Sequence, residues 1–272
     1  MSRQYLRSAQ VRIAGRLFTT RISFEIRKGE QGSAATQAGA QSNKSTVSIW
    51  NLSEDSRGII EREIGSGVMV LEAGYSGQLA TLFAGDIALV EMRRNGPDIE
   101  TRIEAGDGER NLVDAHIELS LGPGATDSQI VDSALRALGL GRGVISGIPA
   151  ARRSNGFAYS GPVADLLDQI ARKNGLAWSV QGGAVQIRQE GDTSGRTAIL
   201  LSDQTGLVGI PNKTEDGFKA ECLLNPELEP GRLVRIQSAL LTGEVTYEVK
   251  GVEHIGDTHG EKWMTTVWGS QA

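Results

Sequence analysis

Near the C-terminus the chain reads "VEHIGDTHGEKWMTTVWG". His254 and His259 flank Asp257, with Glu253 and Glu261 just outside. Imidazole and carboxylate are ligands that zinc accepts, and a histidine beside a carboxylate is also the pairing used in general acid–base catalysis. A zinc site, however, draws three or more protein ligands from converging positions. The alternation of the run puts His254 in a strand and His259 in the turn that follows. The third histidine of the chain, His116, lies far away in sequence. Asp257 and Gly260 are ordinary turn formers, Asp through local hydrogen bonds and Gly through positive φ. The run therefore reads as a hairpin turn, and no metal ligand is assigned to it.

Other residues with chemical potential carry competing structural readings. Asp165 and Asp168 offer two carboxylates, as a glycosidase requires, but their spacing of three places both on one helix face, opposite Leu166, Leu167 and Ile170. Asp107 and Glu109 follow a strand end in a glycine-flanked turn, where Asp serves the backbone. Cys222 with a histidine could form a thiol nucleophile pair. In "FKAECLLN" it alternates with Phe218 and Ala220 on one strand face, which is the pattern of a core cysteine. "GLGRG" and "GPG" lack the Lys-Ser/Thr of a phosphate loop, and neither Gly-x-Ser-x-Gly nor His-Glu-x-x-His occurs. No catalytic, cofactor-binding or metal residue is expected, and the chain is not expected to be an enzyme.

The elements that must position these residues are mostly strands. The chain has 272 residues, 39% hydrophobic and 22% charged, with 35 glycines. That much glycine punctuates short elements and favours strands and turns. A net charge of −5 argues against a nucleic-acid surface, and Arg93-Arg94 and Arg152-Arg153 are too small to reverse it. The lone cysteine excludes an internal disulfide, and no stretch approaches the roughly 18 apolar residues of a membrane helix. The opening "MSRQYLRSAQVRIAG" has no apolar signal core, which gives an expectation of synthesis in a cytoplasm.

Alternation predicts a strand pair or one bent strand over 9–26, a long polar loop over 27–44, and a strand at "STVSIWNL". A Ser-capped helix should follow, with Ile59, Ile60 and Ile64 as its stripe. Strands then run to about 106. The middle changes character: Thr126 and Gln129 form a capping box, Ile130, Val131, Ala134, Leu135 and Leu138 a stripe, and Gly139 a C-cap. A second helix has Ser160 as cap, Pro162 in its first turn and Gly175 at its end. "LAWSVQGGAVQIRQ" is a hairpin, and "EGDTSGRT" a linker to a last run of strands.

The run beginning at Gly67 and the run beginning at Gly231 match in order: strand, hairpin, aromatic strand ending in glycine (Gly85 and Gly251), turn ("RRNGPD" and "GDTHGE"), closing strand. The chain thus reads as two similar β domains with a helical module between them, at 1–108, 109–192 and 193–272.

The runs "LFAGDIALVEMRRNGPDIETRIEAGDG", "GFAYSGPVADLLDQIARKNGLAWSVQGGAVQI" and "GRLVRIQS…YEVKGVEHIGDTHGEKWMTTVWG" together resemble central baseplate hub proteins of tailed bacteriophages, in particular those of Mu-like phages. The resemblance runs from about residue 47 onward. It implies a mainly β fold with a small α/β insertion, in which two tail-tube-like β-barrel domains flank a helix-containing module. It also implies a structural virion protein, assembled in the host cytoplasm and located in the tail baseplate. Hubs of this kind resemble homotrimers whose two domains per chain make a pseudo-sixfold ring. That ring joins a hexameric tail tube protein to a trimeric central spike protein, with the tape-measure protein and other baseplate proteins as further partners. The alternatives are a tail-tip carbohydrate-binding module, which would need clustered exposed aromatics from a 5% aromatic content, and a cell-wall hydrolase component.

Overall fold

Period-two alternation becomes strand after strand along the chain. The computed structural model describes residues 6–29, 43–75, 77–106, 114–181, 183–189, 197–213, 217–238 and 245–271. The polar stretch expected at 27–44 therefore lies outside the described residues over 30–42, as do Asp107, Glu109 and nearly all of the 190–197 linker. Among the described residues no helix is long and apolar enough to cross a membrane.

The described chain falls into two compact units. One draws on 1–29, 44–106 and 193–272, the other on 30–43 and 107–192. The first unit opens with β1 (Arg7–Ile13), β2 (Arg16–Phe18) and β3 (Ile22–Gly29), where the sequence promised a pair or a single bent strand. Then come β4 (Lys44–Trp50), α1 (Glu54–Arg62), β5 (Val68–Tyr75), β6 (Gln78–Asn95) and β7 (Asp98–Gly106). Ser53 caps α1 by accepting from the Ser56 N–H. Only Ile60 of the expected stripe is buried, and Ile64 is exposed, because α1 ends at Arg62 and the chain turns away.

The second unit holds β8 (His116–Leu121), α2 (Asp127–Leu138), β9 (Gly141–Ile145), β10 (Phe157–Pro162), α3 (Val163–Asn174), β11 (Leu176–Gln181) and β12 (Ala184–Gln189). Strand β8 pairs β10, and β11-β12-β9 form a second sheet in which β9 runs parallel to β12. The capping box of Thr126 and Gln129 is present, and Gly139 and Gly175 end the two helices in the left-handed region. Ser160 does not cap α3. It belongs to β10, paired with Glu118, so Pro162 takes the N-cap position without a side-chain hydrogen bond. The apolar faces of α2 and α3 close on Trp178, Val180, Val185 and Ile187 of the β11–β12 hairpin. Each such buried side chain stabilises the module by roughly 1.5–3 kcal/mol relative to exposure.

The first unit is completed by β13 (Ile199–Leu201), β14 (Leu207–Lys213), β15 (Gly217–Leu223), β16 (Leu233–Ile236), β17 (Val245–Asp257) and β18 (Trp263–Gln271). Its strands join into one sheet ordered β14-β15-β18-β17-β3-β4-β7-β6-β5-β1-β2, with β16 on β17 and β13 on β16. The protein is thus mainly β with a small α/β module.

Within that sheet lies a five-strand motif used twice. In chain order the first copy is β3, β4, β5, β6, β7 and the second is β14, β15, β16, β17, β18. In space the first is ordered β3-β4-β7-β6-β5 and the second β14-β15-β18-β17-β16, antiparallel throughout. Each copy has its own core, one around Ile49, Leu71, Ile87 and Ile103, the other around Cys222, Val234, Val249 and Val267.

The hydrogen bonds fix the match between the copies. Ile87 bonds Gly65 and Gly67 through its backbone, and Val249 bonds Gly231 and Arg232 in the same way. A register skip follows each, one residue on, at Ala88 and at Lys250. On the next strand of each copy, Thr101 of β7 and Thr265 of β18 are both fully buried. Val249 is thus the counterpart of Ile87, and Gly251 stands with Leu89 rather than with Gly85, as the sequence had suggested.

Candidate interface: the strand joint between the two repeats

Strand β17 does two things along its length. Its first residues, Val245–Glu248, pair β16 inside its own repeat. Its last seven, Gly251–Asp257, pair β3 of the other repeat, from Gly251 opposite Gly29 to Asp257 opposite Ser23. This joint makes one sheet of two motifs. It is reinforced by a cross-strand ion pair from Arg27 to Glu253 and by Thr258, whose N–H and hydroxyl both donate to the Ile22 carbonyl.

Packing on both sheet faces closes the joint. Gly256 has no side chain because Phe24 and Trp263 occupy that space; the two rings meet edge to face at 5.4 Å. Trp263 also meets Tyr75 edge to face at 6.4 Å. At Gly251 the ring of Trp268 lies across the backbone.

The histidines of the C-terminal run part company here. His254 faces inward, wholly buried, with Nδ1 2.8 Å from Thr265 Oγ1. Burial, with the nearby Lys28 charge adding to it, holds the imidazole down to about 3, so it is neutral at neutral pH. His259 is in the turn, exposed, bonded through Nδ1 to Thr258 Oγ1, and its N–H donates to Asp257 Oδ1 at 2.8 Å. Asp257 faces Arg21 at 3.9 Å. One histidine is a core residue and the other part of an Asx turn. Among the described residues no three His, Cys, Asp or Glu converge on a metal position.

The remaining candidates are likewise accounted for by packing. Cys222 is buried beside Ala220 and Phe218, and burial pushes its thiol up to about 12, far from a thiolate nucleophile. Asp168 accepts the indole N–H of Trp178 at 2.7 Å and faces Arg172, while Asp165 points to solvent. His116 is exposed at the start of β8, Nδ1 3.2 Å from the Asp114 carbonyl. The four tryptophans do not form an exposed cluster: Trp178 and Trp263 are buried, and Trp268 is 37% exposed.

One carboxylate escaped the sequence reading. Asp127, at the first position of α2, is buried and bonded by Arg153, Lys173 and Asn174. Burial alone would raise its pKa, but the hydrogen bonds from Asn174, Arg153 and Lys173 outweigh it and hold the group below the usual range. Its signal in sequence was masked because Asp in a first helical turn is the ordinary partner of the helix dipole.

The chain's relatives agree with a structural rather than a catalytic reading. A family model described as "Baseplate hub gp41" matches residues 33–243. No curated protein matches the sequence. Among solved structures, the 43 kDa tail protein of prophage MuSo2 from Shewanella oneidensis superposes with a TM-score of 0.69 at 10% identity, over 97% of each chain. A tail protein from Neisseria meningitidis MC58 gives 0.67 at 12% identity, over 98% of this chain and 97% of that one. The Escherichia coli c3393 protein, a type VI secretion component described as similar to the T4 tail proteins gp27 and gp5, gives 0.69 at 11% identity, over 96% of this chain and 76% of that one. At such identities these likenesses speak for the fold.

Proposed function

The chain belongs to the baseplate hub gp41 family, and on that premise we propose that three copies form a ring with pseudo-sixfold symmetry, joining a hexameric tail tube to a trimeric central spike. Membership itself makes it a structural, non-enzymatic protein of the phage tail baseplate. The proposal concerns its stoichiometry and neighbours. It takes the segments 1–108 and 193–272 as two tube-like β domains and 109–192 as the module between them. The tape-measure protein and other baseplate proteins are its further contacts.

The observation that carries the reading is the doubled motif. A trimer offers a sixfold partner only three identical faces unless each chain carries two similar ones. The matched orders β3-β4-β7-β6-β5 and β14-β15-β18-β17-β16 supply two in one chain. Native mass measurement of the chain mixed with its tube and spike proteins tests this. The expected species contains three hub chains bound to both partners. A chain that stays monomeric and binds neither overturns the reading.

A further inference from the structure

The joint inside the chain has a second half-site at each end of the repeat pair, and among the described residues both are open. In the joint, β3 lies on the last seven residues of β17. The counterpart of β17 is β6, whose equivalent stretch is Leu89–Asn95. That stretch pairs β7 on one side, and among the described residues no strand lies on its other side, since β5 reaches only to Asp86. The counterpart of β3 is β14. It pairs β15 on one side, and among the described residues no strand lies on its other side either. The other strand ends of the two motifs are covered, β5 by β1 and β16 by β13.

Apolar side chains sit on both open edges. Leu89 is 42% exposed and Met92 38%, while Val208 is 40% and Ile210 61%. Unpaired strand edges carrying apolar residues invite another strand, and soluble proteins normally blunt them. The residues flanking a bulge in β14, between Val208 and Asn212, form a shallow groove with Lys219 and Glu221 at that edge.

We infer that β14 of one copy pairs antiparallel with Leu89–Asn95 of β6 in a second copy, repeating between chains the joint that β3 and β17 make within one. The inference rests on the ring reading above and names the surface that closes the ring. The two edges are complementary by construction, because each is the counterpart of a strand already seen paired with the other's counterpart. Strand addition of this kind draws affinity from main-chain hydrogen bonds and specificity from alternate side chains. The internal joint also sets the register. His254 opposite Ile26 becomes Met92 opposite Lys213, and Ile255 opposite Glu25 becomes Arg93 opposite Asn212. Thr258 donates to Ile22, so Ile255–Glu25 is a non-hydrogen-bonded pair, the kind whose side chains approach most closely. Arg93 and Asn212 are both exposed.

The test is an inter-chain disulfide in assembled tails. Tail particles are produced with hub variants Arg93→Cys, Asn212→Cys and the double variant, oxidised, and run on a non-reducing gel. The double variant is expected to give roughly tenfold more linked hub chains than either single one, because only paired β carbons meet the geometry of the bond. A trimeric hub with no excess of linked chains overturns the edge pairing and leaves the ring reading standing. A hub found in tails in any copy number other than three overturns both. Ile210→Lys guards against poor assembly of the cysteine variants. It changes an exposed side chain, so the free chain should keep its melting temperature while hub incorporation falls several-fold. Wild-type incorporation of this variant would also overturn the edge pairing.

Discussion

His254 and Thr265 meet at 2.8 Å inside the strand joint, both wholly buried, where the first repeat holds Met92 opposite the equally buried Thr101. A titratable ring thus occupies a place that an apolar side chain fills in the sister motif. The threonine hydroxyl also accepts the Asn225 N–H at 3.0 Å. The histidine is a core residue with a polar handle, and its chemistry shows as pH-dependent stability.

The sign follows from its protonation. In the folded chain the imidazole stays neutral down to about 3, whereas an unfolded histidine takes up its proton near 6.5. Below pH 6.5 the unfolded state binds the extra proton, so stability falls as pH falls, by up to about 1.4 kcal/mol per unit for this one group. His254→Met, which copies the first repeat, should flatten that slope between pH 6 and pH 4 while staying folded at pH 7. Urea unfolding curves at four pH values measure it. Equal slopes for both proteins would show that the ring accepts a proton in the fold.

Asp127 behaves with the opposite chemistry and the same direction. Its folded pKa is lowered, so its contribution is fully present above the usual carboxylate range and is lost as pH falls through the folded value. Asp127→Asn should cost about 1–3 kcal/mol at pH 7, since Arg153 and Lys173 lose their shared acceptor. The effect should be local. Hydrogen exchange should quicken at α2 and α3 amides, with the strands of the other unit unchanged. The gap between variant and wild type should narrow in acid.

Much of this architecture could be read from residue order, and the parts that could not share a cause. Helices α2 and α3 announced themselves by stripe and glycine C-cap, because those signals are local. The doubled motif was visible through its turns and strand lengths. The β3–β17 joint was not, for it pairs residues more than 200 positions apart and depends on which edges remain open after each motif has folded. Strands β8 and β9 went unread; "GRGVI" is too short and glycine-rich to alternate, and its parallel partner β12 comes only after β10, α3 and β11. Ser160 misled because a Ser before a Pro is a good cap by sequence, but the β8–β10 ladder claimed it first. The histidine run read as a strand end and a turn, and His254 and His259 lie there, but spacing in sequence says nothing of which face each ring takes.

Cys222 should prove inert. It is the counterpart of Ile49, each lying opposite a buried threonine, Thr265 and Thr101. With the thiol pushed up to about 12 and the side chain sealed, iodoacetamide should fail to label it in the native chain and label it fully in denaturant. Cys222→Val should keep the fold with a change below about 1.5 kcal/mol. Rapid native labelling would mean that β15 opens readily at the edge it shares with β14.

Two glycines in β17 separate tight packing from loose. A side chain at Gly256 would collide with Phe24 and Trp263, rings packed edge to face in the core of the joint. Gly256→Ala should therefore cost about 1–3 kcal/mol, since neither ring can leave without opening a cavity. At Gly251 the obstacle is Trp268, which is 37% exposed and can swing outward. Gly251→Ala should cost less, under about 1 kcal/mol, a difference of several degrees in melting temperature between the two variants. Thermal unfolding of the pair, side by side, measures whether the joint is held by its core rings or by its backbone ladder. Equal, small losses would point to the ladder, and the order Gly256 above Gly251 to the Phe24–Trp263 pair.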